Sequence, residues 1–165
     1  MCLTTTSRSR IAMKPITCYK VLRMKEYNRK VNNVLISPLY VDYIWKGIGE
    51  ENVADGEKDV CVTERLFGFP VSRRIEGGYF HTFAELGDAL KDLSTATYSP
   101  MVLCECSIPV GAEYYSGKYR DGYSSSKSYA SDKLVIERVL CSSSGAVFEL
   151  GLDGNYYRPS PLFEW

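Results

Sequence analysis

Residues 77–108, GGYFHTFAELGDALKDLSTATYSPMVLCECSI, decide the fold class of this chain. They combine a short β-rich run, a stretch with helical spacing and a second β-rich run. Thr82 followed three residues later by Glu85 is the pattern of a capping box, in which hydroxyl and carboxylate each accept a hydrogen bond from a free backbone N–H. The apolar residues then step by three and four, which predicts a helix over about 82–93. The stripe consists of Phe83, Leu86, Leu90 and Leu93, with Ala89 beside it.

Two details of this unit carry further expectations. Gly87 costs a helix about 1 kcal/mol relative to alanine, and we expect it to mark close packing against a strand. The run 101–108 is rich in β-formers and predicts a strand. Alternation would place four apolar side chains of this strand on one face. They are Val102, Cys104, Cys106 and Ile108.

Further β-rich runs lie on both sides of this unit, and together they set the fold class. These runs cover residues 16–22, 35–45, 60–63, 133–140 and 146–150. Pro38 confines the second of them to a strand start, a bulge or a sheet edge. The pattern predicts an α+β fold with a mainly antiparallel or mixed sheet of five to six strands and one clear helix.

The length of 165 residues favours one domain. We expect residues 1–14 to form a flexible basic tail and residues 15–165 a single α+β domain. Within that domain, residues 113–131 are a compositional outlier with five tyrosines, six serines and two glycines. We interpret them as a long Tyr/Ser/Gly-rich loop, because loops beyond about 15 residues usually serve function or are mobile.

The charge of the chain is zero overall but is unevenly distributed. Residues 1–30 contain eight basic residues and one acidic residue, a net charge of +7, so the remainder carries −7. The basic segment would suit a phosphate-bearing partner, an acidic protein surface or the acidic body of this same protein. The alternatives stay open at this point.

The six cysteines do not have the spacing of a zinc site or of a disulfide framework, and the chain has one histidine. We expect buried free thiols and no metal. No apolar run approaches the roughly 20 residues of a membrane span, and the first residues lack a signal-peptide pattern. The sequence therefore predicts a cytoplasmic protein without a membrane partner.

Two features predict a ligand-binding surface. His81 stands at the junction of strand and helix, where an imidazole would act as a base or hold a ligand phosphate. The loop 113–131 has the composition of a binding surface, since rings supply contact area and serines supply adaptable hydrogen bonds. Its Lys118, Arg120 and Lys127 would suit an anion, and its tyrosines would stack on a base. The predicted ligand-binding residues are Tyr79, His81, Tyr115, Tyr119, Arg120, Tyr123 and Tyr129.

Most of the chain resembles a family of small proteins from gut bacteria and their phages that carries no assigned activity. The segments that carry the resemblance are TTTSRSRIAMKPITCYKVLR, GGYFHTFAELGDAL, VLCECSIPVGAEYYSG and SYASDKLVIERVL. The resemblance implies a protein encoded by a phage or a mobile element that interferes with host defence or regulation.

A weaker resemblance, in architecture, is to the ADP-ribosyltransferase fold. It is carried by the glycine-led G-Y-F, the D-A of the helix, the strand that ends I-P-x-G and a late strand. This resemblance implies a cleft that binds NAD. The matching catalytic residues would be Arg23 at the end of the first long strand, Tyr79 in G-Y-F and Glu137 in the late strand. Lys20 and Asp132 are the substitutes for the first and the last of these.

The sequence thus predicts a non-catalytic protein that binds a nucleotide-like small molecule or a host macromolecule, with no cofactor. The first alternative is an NAD-dependent ADP-ribosyltransferase-like enzyme. The second is a nucleic-acid-binding protein that uses the basic N-terminal segment. Their shared expectation is that His81 and the tyrosines of 113–131 line one surface.

Overall fold

The computed structural model describes residues 2–25, 34–36, 45–63, 71–95, 101–121, 124–142, 149–150 and 156–157. These contain fourteen strands and one helix. The strands are β1 (Leu3–Thr5), β2 (Arg10–Ile11), β3 (Ile16–Lys25), β4 (Val34–Ile36), β5 (Glu51–Val53), β6 (Val60–Thr63), β7 (Ser72–Ile75), β8 (Phe80–Phe83), β9 (Met101–Ile108), β10 (Glu113–Asp121), β11 (Ser124–Ser131), β12 (Lys133–Ser142), β13 (Glu149–Leu150) and β14 (Tyr156–Tyr157). The helix is α1 (Leu86–Ser94).

Twelve of these strands form one sheet, and β13 pairs only with β14. The order of the main path is β5-β12-β9-β3-β8-β11-β10-β1-β7-β6, with β2 beside β10 and β4 beside β3. Every pairing among the described strands is antiparallel. The α+β class is confirmed, and the expected count of five to six strands is wrong.

The expected loop at 113–131 is instead a long hairpin of β10 and β11. Eight residue pairs hold the two strands in register, from Tyr114↔Ser131 to Asp121↔Ser124. β11 also pairs with β8, and β10 pairs with β1, so the hairpin lies in the interior of the sheet. Tyrosine has a strong preference for strands, and here both edges of the hairpin find partners.

The expected basic tail at 1–14 is also partly ordered within the sheet. β1 fits between β10 and β7, and Leu3 is 1% exposed. β2 then pairs with the start of β10, where Arg10 lies opposite Tyr114. Burial of the apolar Leu3 side chain stabilises this arrangement, and a free tail would lack that contribution. The basic side chains Arg8, Arg10 and Lys14 remain exposed.

The helix begins later than the capping box predicted. Residues Phe80–Phe83 form β8, in which Thr82 lies opposite Tyr129 and is fully buried. The N-cap is Glu85, and no side chain caps the helix. Strand pairing with β11 therefore determines the conformation of 80–83, because each strand residue gains a ladder partner there, whereas a cap satisfies only the first N–H groups of a helix.

The apolar stripe of the helix is narrower than predicted, because Ala89 and Leu93 are buried whereas Leu86 and Leu90 are 40% and 43% exposed. The expectation for Gly87 is wrong. A Cβ atom placed there would meet no heavy atom within 4 Å. The glycine faces open space, so nothing in the described surroundings requires it.

The sheet has two faces, which we name by what covers or lines them. The cysteine face carries Cys18, Cys104 and Cys106, which pack with Phe80 and Leu134 in the largest core cluster. All three thiols are fully buried, and all six cysteines are free. The expectation that the thiols are buried is wrong for Cys61, which is exposed, and for Cys2 and Cys141, which are partly buried. The helix face carries Phe83, against which α1 packs, and continues across the sheet to Tyr115 and Ala130.

Residues 54–59 connect the two end strands of the main sheet path, β5 and β6. Their Lys58 binds the base of the hairpin: its Nζ is 2.7 Å from Glu113 Oε2 and 3.4 Å from Asp132 Oδ2. Ala54 N also donates to the Asp132 carbonyl at 2.8 Å. The segment thus joins the ends of the sheet path to its middle. No helix in the described part of the chain has the length and apolar character that a membrane crossing requires.

Candidate functional site

Three of the predicted ligand-binding residues meet on the helix face. His81 pairs with Ala130, which pairs with Tyr115, so these side chains share a face. The Tyr79 ring contacts the Tyr115 ring edge-on, with centroids 5.6 Å apart. Their exposures are 1% for His81, 2% for Tyr79 and 8% for Tyr115. As placed, they form part of the core and present almost no surface to a ligand.

Hydrogen bonds also occupy most of the polar atoms of this group. The Tyr79 hydroxyl donates to Glu113 Oε1 at 3.1 Å, and burial raises the pKa of that phenol. His81 Nε2 lies 2.8 Å from the carbonyl of Glu76, so Nε2 carries the proton. Nδ1 is buried and has no hydrogen-bond partner among the described residues. Burial lowers the pKa of His81 to about 4, and the imidazole is neutral at pH 7.

The remaining predicted ligand-binding residues are dispersed. Tyr119 lies on the helix face and contacts the Phe83 ring at 6.1 Å. Tyr129 lies on the cysteine face. The side chain of Arg120 and the whole of Tyr123 fall outside the described residues. The five of these residues whose side chains the structure describes therefore do not share one surface.

The residues implied by the ADP-ribosyltransferase resemblance lie apart. Arg23 is exposed and opposite Met101 at the start of β9. Glu137 is exposed on β12 near the middle of β9, where its Oε1 accepts a hydrogen bond from Ser107 Oγ at 2.6 Å. The register separates these two positions by four to five residues along β9, roughly 15 Å. Tyr79 is buried and directly precedes β8, which lies on the other side of β3 from β9.

The substitutes named with that resemblance are engaged elsewhere. Lys20 is buried at 3% exposure, and its Nζ donates to the His81 carbonyl at 2.7 Å. Burial lowers the pKa of this amine to about 8. Asp132 binds Lys58 and the backbone N–H of Glu113 at the base of the hairpin. Both groups stabilise the junctions of the sheet.

An exposed pair of lysines marks the cysteine face of the hairpin. Lys118 and Lys127 lie directly opposite each other on β10 and β11, and both are exposed. Among the described side chains, no carboxylate lies within 4.0 Å of either ammonium group. Like charges directly opposite on adjacent strands repel, which lowers the stability of the hairpin. We call Lys118 and Lys127 the lysine pair.

Two tyrosines lie on the same face as the lysine pair. Tyr129 is two residues from Lys127 along β11, roughly 7 Å away, and strand alternation directs both side chains to one face. Its ring contacts the Tyr114 ring edge-on at 6.1 Å. Both rings pack on the core cluster of the cysteine face and are partly exposed. We call Tyr114 and Tyr129 the tyrosine pair.

Basic residues of the N-terminal segment border this surface. Arg10 on β2 lies opposite Tyr114, and the exposed Arg8 precedes it. The surface thus has cations on two sides of partly exposed rings, with Ser116 between the lysine pair and the tyrosine pair along β10. The sequence identified Tyr129 and the lysines, but not Tyr114. Alternation of side chains along the two strands places Tyr114 and Tyr129 on one face. Because the sequence was interpreted as a loop, this pattern was not used.

Comparison of the chain with protein-family models, with curated proteins and with solved structures returned no match. The two resemblances stated from the sequence therefore stay predictions.

Proposed function

We propose that this protein is a binding protein for nucleotide phosphates and that they bind on the cysteine face of the β10–β11 hairpin. The observation that carries the proposal is the lysine pair, two exposed ammonium groups held opposite each other without a carboxylate partner among the described side chains. A phosphate between them would replace repulsion by two charge-assisted hydrogen bonds.

The tyrosine pair supports the nucleotide part of the proposal. Tyr129 lies two residues from Lys127 along β11, and its partly exposed ring offers a base a surface for stacking, which contributes about 1–3 kcal/mol per base. Ser116 adds a hydroxyl group on the same face, directly opposite Tyr129 and two residues from Lys118 along β10. Charge, ring and hydroxyl are the groups that proteins use to bind nucleotides without reading their sequence.

A single-stranded nucleic acid is the second candidate, because the surface continues past one nucleotide. Arg10 lies opposite Tyr114, at the far end of the surface from the lysine pair. Lysine and arginine residues on both sides of the rings would contact successive phosphates of a strand. The shared chemistry is a nucleotide phosphate, presented either as a free nucleotide or within a strand.

The test replaces the lysine pair and measures binding of ADP by calorimetry and of a labelled oligothymidylate by fluorescence anisotropy. We expect Lys118→Gln with Lys127→Gln to weaken binding at least about tenfold and to reduce the salt slope by about one per lysine. The matched control is Lys46→Gln with Lys91→Gln, which removes the same charge from two other exposed positions. Binding of both probes indicates a nucleotide site, and binding of the oligonucleotide alone indicates the strand. Absence of binding to either, or equal loss in the control, contradicts the proposal.

The same double variant will be more stable than the wild type. Removing the cross-strand repulsion should raise the free energy of unfolding by about 0.5 kcal/mol, whereas the Lys46 and Lys91 control should leave it unchanged. Urea denaturation measures both. A gain in stability together with a loss of binding is typical of residues kept for function. A double variant less stable than the wild type would show that the lysines stabilise the hairpin instead.

A further inference from the structure

We propose that Cys2, Asp59, Cys61 and Glu76 form a binding site for a thiophilic divalent cation such as Zn²⁺. The site is separate from the surface proposed above and lies where β1, β7 and β6 run side by side. The spacing of the six cysteines gave no indication of it, because the donors come from three separate segments of the chain.

Strand register places the donors together. Cys61 lies opposite Arg74 on β7, and Asp59 precedes it by two residues, so both side chains project from the same face. Leu3 pairs with Ile75, which brings Cys2 beside Glu76 on the other side of β7. The donor atoms of Asp59, Cys61 and Glu76 all lie within 4.8 Å of one another.

Sulfur and carboxylate already contact each other at this place. The thiol of Cys2 is 3.9 Å from Glu76 Oε1, and the thiol of Cys61 is 3.8 Å from Asp59 Oδ1. Each contact pairs one thiol with one carboxylate, and the two contacts flank β7 from opposite sides. Two thiolates and two carboxylates satisfy the four-coordinate preference of zinc.

The guanidinium of Arg74 shows that a positive group is favoured beside these donors. Arg74 Nε is 2.8 Å from Glu76 Oε1, and its Nη2 donates to Cys2 Sγ at 3.5 Å. A positive group is thus already held between the carboxylate and a sulfur atom. The side chain of Arg74 is 61% exposed, so it can leave toward solvent when a metal ion takes its place.

Once Arg74 has moved away, Asp59, Cys61 and Glu76 need only small movements to ligate an ion. Bond lengths of about 2.0–2.3 Å place tetrahedral ligand atoms roughly 3.3–3.8 Å apart. The donors of Asp59, Cys61 and Glu76 now lie within 4.8 Å of one another, and Cys2 Sγ lies 3.9 Å from Glu76 Oε1. Asp59 and Cys61 are exposed and have room for this contraction. Each thiol releases its proton to water as its sulfur ligates the ion.

The experiment titrates the full-length, reduced protein with Cd²⁺, whose bond to a thiolate gives an ultraviolet charge-transfer band, and then displaces it with Zn²⁺. We expect a saturable band at a single equivalent of Cd²⁺. Cys2→Ser and Cys61→Ser should each remove at least about half of it, because each removes one of two sulfur ligands. Asp59→Asn should weaken affinity at least about tenfold, while Cys141→Ser, which changes a partly buried thiol on β12, should have no effect.

Arg74→Gln supplies a test that does not remove a donor. We expect tighter Cd²⁺ binding in this variant, because the competing guanidinium is absent. Weaker binding in Arg74→Gln would overturn the proposal. So would a wild-type protein without a charge-transfer band, or a band that keeps its intensity in either serine variant.

Discussion

Replacing Gly117 by alanine will lower the free energy of unfolding by about 3 kcal/mol. A Cβ atom at this position would lie 2.3 Å from the carbonyl oxygen of Thr4 and 2.9 Å from Thr5 Cβ. The obstacle is the backbone of β1, which β7 holds from its other side. The β1 backbone therefore cannot shift far enough to relieve the contact.

The matched control is Gly87→Ala. No heavy atom lies within 4 Å of a Cβ placed there, so the substitution should raise the free energy of unfolding by about 0.5–1 kcal/mol through helix propensity alone. Urea denaturation of both variants measures the difference between two chemically identical changes. Equal effects at the two glycines would show that β1 does not pack against β10 as described.

Lowering the pH from 7 to 5 will destabilise the protein by about 2 kcal/mol through His81 alone. The unfolded chain binds the proton near the ordinary pKa of 6.5, whereas burial holds the folded pKa at about 4. Between these values the unfolded state binds more protons than the native state. The stability is therefore fully present above pH 6.5 and is lost as the pH falls toward 4.

Denaturation at a series of pH values tests this dependence, and His81→Gln is the control. His81 is the one histidine of the chain, so few other groups titrate between pH 5 and 7. Glutamine retains a donor for the Glu76 carbonyl and does not titrate. We expect the slope in this range to disappear in the variant, whatever its absolute stability. A slope that persists would assign the dependence to another group.

The local pattern of the sequence sufficed to locate the strongest elements. The predicted strand at 101–108 coincides with β9, and alternation correctly placed Cys104 and Cys106 on one face. The first long strand and the strand from 133 were also predicted, although both extend further than expected. These segments are rich in β-branched and apolar residues, and they pair with neighbours that are equally apolar.

The errors arose where distant partners decide the conformation. Residues 80–83 have the pattern of a helix start, but pairing with β11 makes them a strand. The hairpin was mistaken for a loop because serine and glycine are common in loops, although its tyrosines favour strands. The sequence around Leu3 likewise gave no indication that this residue belongs to a strand between β7 and β10.

For the candidate site too, the sequence predicted suitable residue types, whereas strand pairing decided which of them lie together. Composition identified Lys118, Lys127 and Tyr129 as residues suited to an anionic ligand, and the structure places them on one face of the sheet. Composition could not separate these residues from Tyr115, which points to the opposite face and is buried. A change of one residue along a strand reverses the face, so only the register distinguishes a surface tyrosine from a core tyrosine.

The most direct test of the proposed function maps where a nucleotide phosphate contacts the protein. Amide chemical shifts of the wild-type protein, recorded by NMR during titration with ADP and then with oligothymidylate, locate the contact without any substitution. We predict that the largest changes fall at residues 116–118 and 127–129. Changes concentrated on β12 and β5, at the opposite end of the sheet path, would contradict the proposal, as would spectra that do not change with either ligand.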